Sequence, residues 1–209
     1  MSIRQHGYPA SVGRSYMVIE DIAASIRQQL VPGLSSEAML PGLSIFESLN
    51  RKPLISESTS LQVDYAVNEL PADVEALTVY DLNRGKFVVA LAVPTYQDLE
   101  RHDPRARFSL YHELGHAVLH HNELRTLSQQ PQAIASALMR RDFPAHPCYL
   151  DTEWQADAFA AAILMPADGI KHLHKVKKAL TVDMISTNFH VSYQAAKTRL
   201  AVYMRNCAN

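Results

Sequence analysis

The chain has 209 residues, 47% of them hydrophobic, and its 20 basic and 21 acidic side chains leave a net charge of −1. That balance suits one domain, or one domain with a small appendage, built around a sizeable core. No apolar run reaches 18 residues and residues 1–15 lack the apolar centre of a secretory leader, while Cys148 and Cys207 are too few for a disulfide framework; a transmembrane helix is excluded and a reducing, cytoplasmic setting is expected.

In chain order, residues 17–30 place Ile19, Ile22, Ala23, Ile26 and Leu30 at helical spacing, ended by Pro32 and Gly33. Residues 33–60 are rich in Gly, Ser and Pro and read as a loop with a short helical piece in GLSIFESL. Leu61, Val63, Tyr65 and Val67 alternate along a strand, and residues 74–93, with a turn at Asn83-Arg84-Gly85, read as a hairpin in a small antiparallel sheet. Asp103-Pro104 caps a helix running to about His121. A short helix is expected over 132–141 and a Pro-containing loop over 143–150. Thr152, with Gln155 three residues on, reads as a capping box for a helix that stops before Pro166. The remainder reads as helical. Seven basic residues and one acid after Ile170 make that end +6 and leave −7 on residues 1–170, an asymmetry that suits either a solvated tail or a contact with nucleic acid or an acidic partner.

The chemistry concentrates in RFSLYHELGHAVLHH. His112 and His116 stand four apart, one helical turn, so both imidazoles can reach a single Zn²⁺. Glu113 lies about 100° around the helix, beside the ion, placed to take a proton from an activated water and return it to a leaving amine. A catalytic zinc needs a third protein ligand and an open fourth position. Glu153 can supply the third, and Asp157, one turn later on the same face, can accept the free ring N–H of a ligand histidine. Ala156 and Ala160 would let that helix approach the first closely. The alternative ligands are histidines: His120 lies roughly 6 Å farther along the helix axis and suits a helix end, His121 points elsewhere, and His146 in the loop is a candidate transition-state contact, as is Tyr149.

RFSLYHELGHAVLHH and EWQADAFAAAILMP together resemble the ImmA/IrrE family of bacterial zinc metallopeptidases, HExxH zincins. The resemblance implies one Zn²⁺ per chain held by His112, His116 and Glu153, with Glu113 as base, in an α+β zincin-like domain whose small antiparallel sheet packs on the HExxH helix. It also implies a helix-turn-helix repressor as substrate, whose cleavage relieves repression of mobile-element, stress or phage-defence genes. The separation of His116 from Glu153 is longer than the family pattern, which puts the cleft rim around 122–150 in question.

The expected division is a metallopeptidase domain over 1–170 and a basic, helix-turn-helix-like unit over 171–209 packed on it, where residues 179–204 carry two apolar helical faces around a Val191-Ser192 turn. That unit is a candidate nucleic-acid contact or a substrate-docking element. Cys148, five residues before Glu153, is a candidate inhibitory zinc ligand that would hold the enzyme latent. An extended substrate is expected to add to an exposed strand within 86–93. The rival function is a DNA-binding regulator with a structural or idle metal site.

Overall fold

The computed structural model describes residues 7–129, 146–177 and 179–206; the helix expected over 132–141, together with Lys178 and Cys207, lies outside them. Helix α1 (Tyr16–Leu30) begins where Ser15 accepts the Val18 N–H, and it buries Ile19, Ala23 and Ile26 as the periodicity predicts. After a short helix α2 (Leu43–Phe46), the stretch read as loop contains a hairpin, β1 (Leu54–Ser56) and β2 (Thr59–Leu61). Its turn residues Glu57 and Ser58 both have positive φ, 45° and 69°. Such turns normally announce themselves with Asn or Gly. Here the Glu57 carboxylate is held by Arg14 at 2.6 Å, a tertiary contact that the local sequence does not reveal.

The main sheet holds β3 (Val63–Asn68), β4 (Ala76–Asp81) and β5 (Lys86–Ala92). Its order is β3-β5-β4. The β4–β5 hairpin is antiparallel as expected, but β3 pairs with β5 in parallel, so this sheet is mixed. The chain crosses from β3 to the far edge before β4 turns back into the centre. A central strand needs apolar contacts on both faces, which explains why Phe87, Val89, Ala90 and Leu91 are all buried. The strand expected to receive substrate, 86–93, is therefore paired along both edges; β4 is an edge strand of this sheet.

A helix missing from the sequence reading, α3 (Val93–Glu100), follows β5 directly. Helix α4 (Pro104–Leu119) starts as predicted, with the Asp103 carboxylate accepting the Arg105 and Ala106 N–H groups. Helix α5 (His121–Gln129) continues after a break at His120. Helix α6 (Thr152–Leu164) is capped by Asp151 rather than Thr152, and its carboxylate accepts the Trp154 N–H. The Gln155 amide is consequently free of the capping box and makes tertiary bonds instead.

Helices α7 (Ala167–Lys177), α8 (Val182–Phe189) and α9 (Tyr193–Asn206) complete the described chain. His190, at φ 53°, ends α8 in the left-handed conformation, one residue before the Val191-Ser192 turn that the sequence predicts. Ile185, Phe189, Val191, Ala196 and Tyr203 join the same hydrophobic core as α4 and α6. Two buried arginines tie this end down. Arg107 donates to the Leu40, Phe189 and His190 carbonyls. Arg199 donates to the Met165 carbonyl and pairs with Glu20.

Candidate metal centre

The site forms where α4 and α6 approach closely. Gly115 makes that possible: a Cβ there would stand 3.3 Å from Ala156 Cα and 3.0 Å from the Phe159 ring. On α4, one turn apart, His112 and His116 bring their Nε2 atoms to 3.1 Å. From the first turn of α6, Glu153 Oε2 lies 3.2 Å from His112 Nε2 and Oε1 lies 3.4 Å from His116 Nε2. Ligands around a tetrahedral zinc at about 2.0–2.1 Å are roughly 3.3 Å from one another. The three donors therefore match the spacing a zinc-sized cation requires.

Their electrostatics point the same way. Burial alone would raise the Glu153 pKa, but its contacts with the His112 and His116 imidazoles outweigh it and hold the carboxyl well below the usual range. Burial alone would depress His112, but its bonds to Asp157 and Glu153 and the charge of Glu113 push it up to about 10. The pocket thus favours positive charge at His112 Nε2, where a divalent cation can replace a proton.

Two carboxylates border the imidazole pair. The ligand atoms of His112, Glu113 and His116 lie within 4.8 Å of one another, whereas Glu153 approaches both Nε2 atoms within 3.4 Å. The closer Glu153 completes the donor triangle. Glu113 is next to His112 and turned around the helix from it. Its backbone carbonyl accepts the Thr78 hydroxyl at 2.8 Å, which ties this part of α4 to edge strand β4.

Asp157 Oδ1 accepts the His112 Nδ1–H at 2.9 Å. His120 is the helix-end residue the sequence predicts, the C-cap of α4, and its Nδ1 also lies 3.1 Å from His116 Nδ1. Three other candidates lie in residues 146–149, just before α6. His146 Nε2 meets the Asp151 carboxylate at 3.2 Å. Cys148 is partly buried in the short turn, residues 148–150, that precedes Asp151. Tyr149 is 50% exposed, with its ring against Gly13.

A tyrosine tied to the start of α6, Tyr8, is one that sequence patterning did not single out. Its carbonyl accepts both the N–H and the hydroxyl of Thr152, the residue before Glu153. Burial, followed by the charges of Glu123, Glu153 and Glu113, holds its phenol well above the usual range, so it remains a hydrogen-bond donor. The one local signal was Gly7, where a Cβ would fall 2.9 Å from Glu153 Cγ.

Residues 98–201 match the family model Peptidase_M78, described as the IrrE N-terminal-like domain. That span runs from α3 into α9 and includes every residue of the donor triangle. No curated protein matches the chain.

Proposed function

We propose that this chain, which belongs through residues 98–201 to the ImmA/IrrE family of metallopeptidases, is a zinc-dependent endopeptidase that cleaves a helix-turn-helix repressor. The observation that carries the reading is the His112, His116 and Glu153 triangle with Glu113 beside it. Zinc held there supplies Lewis acidity toward the scissile carbonyl and lowers the pKa of a water to about 7. Glu113 takes the proton from the attacking water and passes it to the departing amine. Asp157 keeps the His112 proton on Nδ1 and leaves Nε2 for the metal. Tyr8 offers a phenolic O–H to the developing oxyanion; His146 and Tyr149 are the alternatives for that role.

An extended peptide segment adds along the edge of β4 that pairs with no described strand; the Thr78 hydroxyl of β4 bonds to the Glu113 backbone. Cleavage of the repressor would release mobile-element, stress or phage-defence genes. This work belongs in the cytoplasm; among the described residues no helix is long and apolar enough to cross a membrane.

The DNA-binding alternative has less to draw on. Arg199 is 2% exposed and committed to Glu20, and α9 turns Ala196, Val202 and Tyr203 inward. Incubation of the zinc-loaded protein with candidate repressors tests the proposal. Glu113→Gln should retain zinc and lose at least about a hundredfold in cleavage rate. Undiminished cleavage by that variant would remove Glu113 from the mechanism, and a wild type that binds no divalent metal would end the zinc reading.

A further inference from the structure

We propose that His120 and Gln155 are positioning residues: a neutral hydrogen-bond relay through them fixes His116 in the tautomer that presents its Nε2 lone pair to the metal. The inference rests on the zinc reading above and deepens it.

The relay can be solved from its far end. Gln155 Nε2 lies 3.0 Å from the Val12 carbonyl and 2.8 Å from the Tyr149 carbonyl. Carbonyl oxygens only accept, so the amide NH₂ stands there and both of its hydrogens are used. Gln155 Oε1 faces Arg14 Nη1 at 3.2 Å, and a guanidinium only donates. A flipped amide would oppose carbonyl to two carbonyls and NH₂ to guanidinium. The orientation is therefore determined, and Oε1 is an acceptor.

His120 Nε2 approaches that same oxygen at 3.2 Å, so it must donate. A neutral imidazole protonated at Nε2 carries its lone pair on Nδ1. His120 Nδ1 faces His116 Nδ1 at 3.1 Å, so His116 donates from Nδ1. Its remaining ring nitrogen, Nε2, then carries the lone pair, and it is this atom that faces His112 Nε2 and Glu153. An imidazolium at fully buried His120 would add a second buried cation beside Arg14 and set N–H against N–H at His116.

The anchor is itself fixed, because Arg14 Nη2 is bound by Glu57 at 2.6 Å. The two ligand histidines are thus oriented by different chemistry. His112 leans on a carboxylate, Asp157, whose side chain is 62% exposed. His116 leans on a buried chain of neutral groups. With Glu153, Glu113 and Asp157 already around the ion, a further carboxylate behind His116 would lessen the Lewis acidity that the reaction needs; a neutral relay orients the ring without that cost.

The test uses full-length, zinc-loaded protein labelled with ¹⁵N-histidine. The expected spectrum shows His116 protonated at Nδ1 and metal-bound through Nε2, with His120 protonated at Nε2 and bare at Nδ1. A His120 protonated at Nδ1, or a His116 bound through Nδ1, overturns the relay. Zinc affinity by chelator competition gives the second readout. His120→Phe and Gln155→Leu should weaken zinc binding by about 10–100-fold. His120→Asn, whose Oδ1 can stand where Nδ1 stood and accept from His116, should recover most of the loss. Equal weakening in His120→Phe and His120→Asn, or none in His120→Phe, refutes the positioning role. If the variants fail to fold, the wild-type spectrum still decides. A wild type that takes up no zinc sinks the peptidase reading instead, and the His120 tautomer in that sample still tests the relay.

Discussion

Gly115→Ala tests whether the approach of α4 to α6 governs the metal site. The added methyl would stand 3.0 Å from Phe159 Cδ1, 3.3 Å from Ala156 Cα and 3.4 Å from the Ala156 carbonyl oxygen. Comfortable carbon contacts are about 3.5–4.0 Å, so the helices must part by a few tenths of an ångström. Phe159 is fully buried and Ala156 meets the methyl with backbone, so neither yields by a simple rotamer change; α6 has to move. Glu153 lies one turn before Ala156 and moves with it. Metal–ligand distances tolerate only about 0.2 Å, so zinc binding should weaken by around tenfold, near 1.4 kcal/mol. Overpacking costs about 1–3 kcal/mol, and replacing a helical glycine by alanine returns about 1 kcal/mol, so folding stability should fall by no more than about 2 kcal/mol. Chelator competition gives the affinity and a thermal melt of the metal-free protein gives the stability. Zinc affinity within twofold of wild type would show that the close approach does not control Glu153.

The remaining tests address the chemistry around the ligands. Because His112 is pushed up to about 10 from an ordinary 6.5, zinc must displace a proton there, and apparent affinity should rise about tenfold per pH unit from pH 7 toward 10; a pH-independent affinity contradicts this. The same raised pKa means that the metal-stripped protein has the His112 contribution in full below about pH 6.5 and loses it as pH rises through about 10, so its melting temperature should decline across that window. Tyr8→Phe should lower kcat by about a hundredfold while zinc content and KM stay near wild type; an unchanged kcat removes Tyr8 from oxyanion stabilisation. If Cys148 is the latent zinc ligand that its place five residues before Glu153 suggests, Cys148→Ser should raise basal cleavage with zinc content unchanged, and unchanged cleavage removes that reading.

What the sequence made legible was whatever a single helix writes in its own period. The spacing of His112 and His116, the Asp103 cap and the shared face of Glu153 and Asp157 all follow from 3.6 residues per turn, and the structure builds each as a local feature. What stayed hidden depends on partners distant in the chain. The Glu57-Ser58 turn is held by Arg14; β5 is central only because the connection from β3 crosses to the far edge; Tyr8 reaches the site through Thr152. Gln155 misled for a similar reason. Spacing from Thr152 suggested a capping box, but Asp151 satisfies the helix start, and the amide is released to bond to Val12, Tyr149 and His120.

The first turn of α6 is the most economical part of this design. Glu153 and Asp157 are four residues apart on one face, and between them they contact both nitrogens of the His112 ring. Gln155, two residues after Glu153 and on another face, reaches His116 through His120. On the proposed reading, the first two turns of α6 therefore supply one ligand and orient both of the others. Its position at a helix N-terminus also helps: the positive end of the helix dipole favours an ionised carboxylate in the first turn, in the direction that the His112 and His116 bonds already push Glu153. This predicts a hierarchy among single substitutions on α6. Changes at Glu153 remove a ligand, changes at Asp157 or Gln155 misorient one histidine each, and changes at Asp151 loosen all three by unwinding the turn that carries them. Asp151→Ala should thus weaken zinc binding although Asp151 is no ligand, by about the 0.5–2 kcal/mol that a lost cap costs; a zinc affinity untouched by loss of that cap would show that the turn is held by its other contacts.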